Sequence, residues 1–162
     1  MKRLVVLVGN IGGGKTTITN DLVKLGYNVI SRDAMRYMLG NGQYVFELIT
    51  EKIINKIALS MLRQMVQKNL DIIIDETNMS VAIREEILKI ANKKNYETIA
   101  YVMPKISKRK SIERRLSNNH GNTTKEVWSE VWEKFNAMYE EPTHDEGFDK
   151  VITGINHEVK NV

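Results

Sequence analysis

The chain has 162 residues, 42% hydrophobic and 27% charged, the composition of an ordinary soluble globular protein with room for one sizeable core. It has no cysteine, which excludes disulfides and thiolate chemistry, and no apolar run approaches the length of a membrane span. The net charge of +4 and pI of about 9.2 are compatible with nucleic acid without requiring it. Met1-Lys2-Arg3 precedes an apolar run too short for a secretory signal, so a cytoplasmic protein is expected.

Leu4 to Val8 reads as a short buried strand. The octet Gly9-Asn10-Ile11-Gly12-Gly13-Gly14-Lys15-Thr16 follows at once and matches G-x-x-x-x-G-K-[ST]. Thr16 to Leu25 can form a helix with Ile18, Leu22 and Leu25 on one face. Strand, glycine loop and helix together imply a phosphate-binding loop for a nucleoside triphosphate. Glycines let the backbone fold around phosphates with N–H groups pointing inward, and the new helix adds its positive end. Lys15 is expected to reach the β and γ phosphates of ATP, and Thr16 to offer its hydroxyl to Mg²⁺. Gly9, Asn10, Gly12, Gly13, Gly14 and Thr17 complete the expected nucleotide-binding set.

Asn28-Val29-Ile30 is a second strand, ending at Ser31-Arg32-Asp33. Asp33 to Leu39 predicts a helical turn or two, stopped by Gly40-Asn41-Gly42. Tyr44 to Lys68 predicts a long amphipathic helix through Leu48, Ile49, Ile53, Ile57, Met61 and Met65, the methionines serving as core packing. Asp71 to Asp75 is a third strand, whose three isoleucines suggest a parallel sheet covered on both faces. Ser80 caps a helix to about Lys94, and Thr98 to Met103 forms a fourth strand. Ser107 to Asn118 is a basic helix, broken by Asn119 to Asn122. Thr123-x-x-Glu126 is a capping box that starts a helix to about Glu140. Val151-Ile152 is a fifth strand. This alternation predicts one α/β domain over 1–162: a doubly wound, mainly parallel five-stranded sheet with helices on both faces and a helical lid at about 105–125. Ligands in such sheets sit outside the carboxyl ends of the strands, which selects Gly9–Thr16, Ser31–Arg36 and Asp75–Asn78.

Transfer of a phosphoryl group to a hydroxyl needs a carboxylate to accept the proton. Asp33 suits that role, or else caps a helix. Arg36, one turn on, could pair with Asp33 or hold an anionic group on the acceptor. Asp75, directly after the third strand, is the expected Mg²⁺ carboxylate, with Glu76 as the alternative. Lys105, Lys108, Arg109, Lys110, Arg114 and Arg115 form the densest basic cluster. Such a run is usually a solvated face, but Arg109, Arg115 and His120 could close over the triphosphate. His144 and His157 lack metal-ligand spacing, and Trp128 and Trp132 read as core rather than a base-stacking platform.

Taken together, Gly9–Thr16, Ser31-Arg32-Asp33-x-x-Arg36, Asp75-x-Thr77-Asn78 and the tail Glu141-Pro142-Thr143-x-Asp145-Glu146-Gly147-Phe148-Asp149 resemble the kinase domain of P-loop polynucleotide 5′-hydroxyl kinases. The resemblance implies ATP and Mg²⁺ as cofactors and a 5′-hydroxyl end of RNA or DNA as acceptor. It implies Asp33 as general base and Arg36 as the grip on the acceptor's 3′ phosphate. Lys15, Thr16 and Asp75 would serve ATP and the metal, although some phage members place the acid directly before Thr-Asn, where this chain has Glu76. Where the family has a second lid arginine before Gly121, this chain has His120, so Arg114 or Arg115 would supply the charge. A separate phosphatase or ligase would complete end repair. The same residues could also serve a small-molecule kinase, for a nucleoside, sugar or sugar nucleotide, or a nucleotide-binding regulator.

Overall fold

The computed structural model describes residues 1–118, 123–154 and 162. Five strands, β1 (Arg3–Val8), β2 (Asn28–Ile30), β3 (Ile72–Ile74), β4 (Glu97–Val102) and β5 (Lys150–Thr153), form one parallel sheet in the order β2-β3-β1-β4-β5. The helices are α1 (Lys15–Lys24), α2 (Arg32–Leu39), α3 (Leu48–Gln67), α4 (Val81–Ala91), α5 (Lys108–Ser117) and α6 (Lys125–Ala137). Val5 on the central strand lies between Ile73 and Ile99. Its unbroken aliphatic run fits a strand covered on both faces.

Side chains alternate across β1 and feed two cores. Leu4, Val6 and Val8 pack with Ile54, Ala58, Leu62 and Val66 of α3 and with Ile87 and Leu88 of α4. Val5 and Leu7 pack with Ile18 and Leu22 of α1 on the other face. A smaller cluster of Ile11, Ile112 and Trp128 ties α5 and α6 to the glycine loop, with Trp132 against it. Both tryptophans are therefore packing groups. The chain leaves β1 toward β2 on one side and leaves β4 toward β5 on the other. The switch point thus lies between the carboxyl ends of β1 and β4, where the glycine loop begins.

Four local expectations need correction. The helix predicted from Tyr44 starts at Leu48, and its buried face is Ile54, Ala58, Leu62 and Val66. Leu48 and Ile49 are 81% and 77% exposed, and Ile53 is exposed too. The four-residue spacing from Ile54 defines a face one step round from Ile53. Ile57, Met61 and Met65 flank that face against the core. Leu25 is exposed because it caps α1, where the chain turns at Gly26. The last of these helices is capped by Thr124 rather than Thr123, its hydroxyl accepting from the Val127 N–H at 3.4 Å. The break at Asn119–Asn122, including His120, and also His157 lie outside the described residues. Among the described residues no helix is long and apolar enough to cross a membrane.

Candidate active site

The glycine loop is shaped by what crowds it. A Cβ on Gly9 would meet the Met103 Cβ at 2.7 Å, just past β4. Gly12 has φ +67°, and a Cβ there would meet the Ser111 carbonyl oxygen at 2.8 Å. Lys15 opens α1 and curls back, its Nζ donating to the carbonyls of Gly9 and Asn10 at 2.8 Å each. Asn10 accepts from the Ile11 N–H at 2.7 Å and donates to the Trp132 carbonyl at 3.0 Å. Thr16 and Thr17 stand exposed on the first turn of α1, which carries no acidic residue. That helix end is an electropositive seat for an anion. Burial lowers the Lys15 ammonium to about 8, against the pull of Asp75 and Asp33.

Asp75 follows β3 and is coupled electrostatically to Lys15 and Asp33. Burial pushes its carboxyl upward, opposed by the Thr19 hydroxyl and the Lys15 charge. Glu76 is engaged elsewhere, in an ion pair with Arg32. Asp75 is thus the acid on the Lys15 side. Thr16 and Asp75 could hold Mg²⁺: both offer hard oxygens, and this ion keeps several waters rather than demanding an all-protein cage. Among the described residues no group of three His, Cys, Asp or Glu could hold a metal. His144 faces the Phe148 carbonyl at 3.0 Å.

Asp33 lies in the first turn of α2, capped by Ser31, whose hydroxyl accepts from the Ala34 N–H at 3.3 Å. Arg36 donates to Asp33 and clasps Glu51 with two bonds of 2.7 Å, from Nε and Nη2. Burial acts to lower the Arg36 guanidinium, but the Glu51 hydrogen bond and the surrounding negative charge outweigh it, and the guanidinium stays protonated well above its ordinary value. Of the two roles open to Arg36, the structure shows the pairing with Asp33. The Tyr44 hydroxyl donates to Asp33 at 3.2 Å. Burial and the Asp33 charge push that phenol up to about 12. Sequence reasoning missed Glu51 and Tyr44, because contacts across a turn between helices leave no periodic signal.

The basic helix α5 sorts its charges by face. Ser111 donates to the Ile11 carbonyl at 2.6 Å, and Arg114 to the Gly12 carbonyl at 2.8 Å. Arg115 lies 4.0 Å from the second Asp33 oxygen, its guanidinium 5.0 Å from the Trp128 ring centroid. Arg109 is not brought to the loop. Its side chain is 89% exposed and pairs with Glu113 at 3.3 Å, two residues and so roughly half a helical turn away from Ser111. Lys108 pairs with Glu133 at 2.7 Å, and Lys105 lies over the Tyr139 ring.

The tail motif has a structural explanation. Glu146 clasps Arg84, which is fully buried, at 2.7 and 2.8 Å. Arg84 also donates to the Asn78 carbonyl at 2.9 Å. Asn78 in turn donates to the Leu7 carbonyl at 2.7 Å, and the Gly9 N–H donates to the Thr77 carbonyl at 3.0 Å. The tail thereby fixes the loop after Asp75 against the start of the glycine loop. Thr143 and Glu146 form a capping box, Phe148 enters the core, and Asp149 bonds Thr98.

This frame has known counterparts. A family model, AAA_33, described as an AAA domain, matches residues 4–142. No curated protein sequence matches the chain. Among solved structures, a chain of the Pnkp1/Rnl/Hen1 RNA repair complex aligns with TM-score 0.68 and 18% identity, over 91% of this chain and 46% of that one. The Mycobacterium tuberculosis APS kinase CysC, in complex with AMPPNP and APS, gives 0.61 and 13%, over 96% and 90%. Shikimate kinase from Acinetobacter baumannii gives 0.59 and 16%, over 94% and 83%. At such identities the likeness establishes the fold alone. With its glycine loop, parallel sheet and a family match spanning most of its length, the chain belongs to the AAA_33 family of AAA domains.

Proposed function

We propose that the chain transfers the γ-phosphoryl group of ATP to a 5′-hydroxyl end of RNA or DNA. The observation that carries this reading is the Asp33 carboxylate, held by Arg36 and Tyr44 and flanked by Arg115 of α5, at the same carboxyl end of the parallel sheet as Lys15 and Asp75. Asp33 accepts the proton of the attacking hydroxyl as the new O–P bond forms and the bond to the β-phosphate oxygen breaks, releasing ADP. Lys15 and Arg115 neutralise the charge spread over the phosphoryl oxygens. Thr16 and Asp75 would hold Mg²⁺, which would supply positive charge to neutralise the phosphates. Arg36 is a positioning residue: its bonds to Asp33 and Glu51 orient the carboxylate. The acceptor class is supported by the sequence motifs and by the RNA repair complex among the structural relatives. A separate ligase or phosphatase is the expected partner.

The test is transfer of labelled γ-phosphate to a 5′-hydroxyl RNA oligomer, the matching DNA oligomer, free nucleosides and sugars. Label on either oligomer supports the reading and ranks RNA against DNA. Label confined to a small acceptor would move the activity to metabolite phosphorylation.

A pH effect is expected on ATP binding. The free Lys15 ammonium loses its proton through about pH 8, below the ordinary lysine value, whereas a bound triphosphate favours the charged form. Binding above pH 8 must therefore take up a proton, and affinity falls as pH rises. Between pH 7.5 and 9 the Kd for ATP should rise about tenfold, as measured calorimetrically. Lys15→Met should bind weakly with a flat profile. An equally flat profile in the unaltered protein would separate the Lys15 charge from the phosphates.

A further inference from the structure

We propose that the exposed ring of Phe46 is a stacking platform for the nucleobase of the acceptor's terminal nucleotide. This rests on the end-kinase reading above and names how the acceptor would be held.

Phe46 is 63% exposed, yet its ring is not free. The Arg36 guanidinium lies 5.4 Å from its centroid, a cation–π contact. That guanidinium is clamped by Glu51 on one edge and by Asp33 on another. Ring and reactive carboxylate therefore share one rigid support. The chain of contacts sets the ring centre within about 10 Å of the Asp33 carboxylate. A single nucleoside covers that span between its 5′ oxygen and its base.

The chemistry of this wall selects a neutral planar group. Arg36 faces two carboxylates and carries no surplus positive charge toward solvent. An anionic group has little to gain there, and a polyol needs directed donors and acceptors that an aromatic face does not supply. A base has a π-face whatever its identity, so stacking of this kind tolerates any terminal base. The tryptophans cannot serve the same purpose. Trp128 is buried in the cluster with Ile11 and Ile112 and already carries Arg115. Phe46 stands outside the hydrophobic cores, so its removal leaves them intact.

The test uses a 5′-hydroxyl oligomer with 2-aminopurine as its first base, and a matching oligomer with an abasic first residue. Stacking on Phe46 quenches 2-aminopurine fluorescence, so contact is read without catalysis. The expected results are quenching by the unaltered protein, loss of quenching in Phe46→Ala and Phe46→Leu, and its retention in Phe46→Trp. In steady-state transfer, Phe46→Ala should raise KM for the base-bearing oligomer about tenfold with kcat little changed. It should leave the abasic oligomer, already weak, unaffected. Equal losses on both oligomers, or transfer and quenching indifferent to Phe46, would overturn the platform while leaving the kinase reading standing. Phe46-dependent quenching without transfer would keep the platform and remove the kinase reading. Neither quenching nor transfer would remove both.

Discussion

Replacing Arg84 with methionine should lower folding stability by about 3–5 kcal/mol, the usual loss when one partner of a buried ion pair is removed. The guanidinium is fully buried and satisfies both Glu146 oxygens and the Asn78 carbonyl. Methionine keeps the apolar stem but supplies no donor, so the Glu146 carboxylate is left with only its bond from the Thr143 N–H and the Asn78 carbonyl loses its donor. Domains of this size hold about 5–15 kcal/mol, so the variant should stand near its unfolding threshold at 37 °C. Urea denaturation would read the change as a lower midpoint with a similar slope. Adding Glu146→Leu should recover part of the loss, because the orphaned carboxylate is then gone. A loss below about 1 kcal/mol in the single variant would mean that the pair is dispensable to the fold.

Asp33→Asn should reduce phosphoryl transfer by about 10²- to 10⁴-fold, the range associated with a positioned general base. Asparagine has the shape of aspartate and can still accept from the Tyr44 hydroxyl, but it cannot take a proton from the attacking hydroxyl. Arg36 keeps its two hydrogen bonds to Glu51, so the surroundings should hold. ATP affinity should change little, since the loop of Lys15 and Thr16 is untouched. Single-turnover transfer with prebound ATP isolates the chemical step. A rate within tenfold of the original would remove Asp33 as the base.

The sheet was readable from the chain because its strands are aliphatic runs bounded by turn residues, Leu4–Val8 and Ile72–Ile74 most clearly. The glycine loop was readable because phosphate binding constrains both spacing and residue type. What failed was a matter of faces. Leu48, Ile49 and Ile53 have the same hydrophobicity as Ile54, and only the direction of α3 against the sheet decides which is covered. Arg84 carries no signal in the sequence because an arginine within an amphipathic helix reads as solvent-facing until its partner, 62 residues later, is known. Glu51 was hidden likewise: its contact with Arg36 crosses fifteen residues and a turn. Arg109 and Arg115 look alike in sequence, and the helical phase of α5 separates them.

The groups gathered around the Asp33 carboxylate from the sheet edge have a further meaning. Asp33, Arg36, Tyr44, Phe46 and Glu51 all belong to one uninterrupted segment that runs from the end of β2 into the first turn of α3. The groups that face the glycine loop come instead from α1, the end of β3 and α5. Under the proposed function, replacing only the first segment would exchange one acceptor for another and leave the groups that face the glycine loop intact. The scaffold is in that sense divided like a tool with a fixed handle and an interchangeable bit, and transplanting residues 33 to 51, which carry all five side chains, between relatives would test that division.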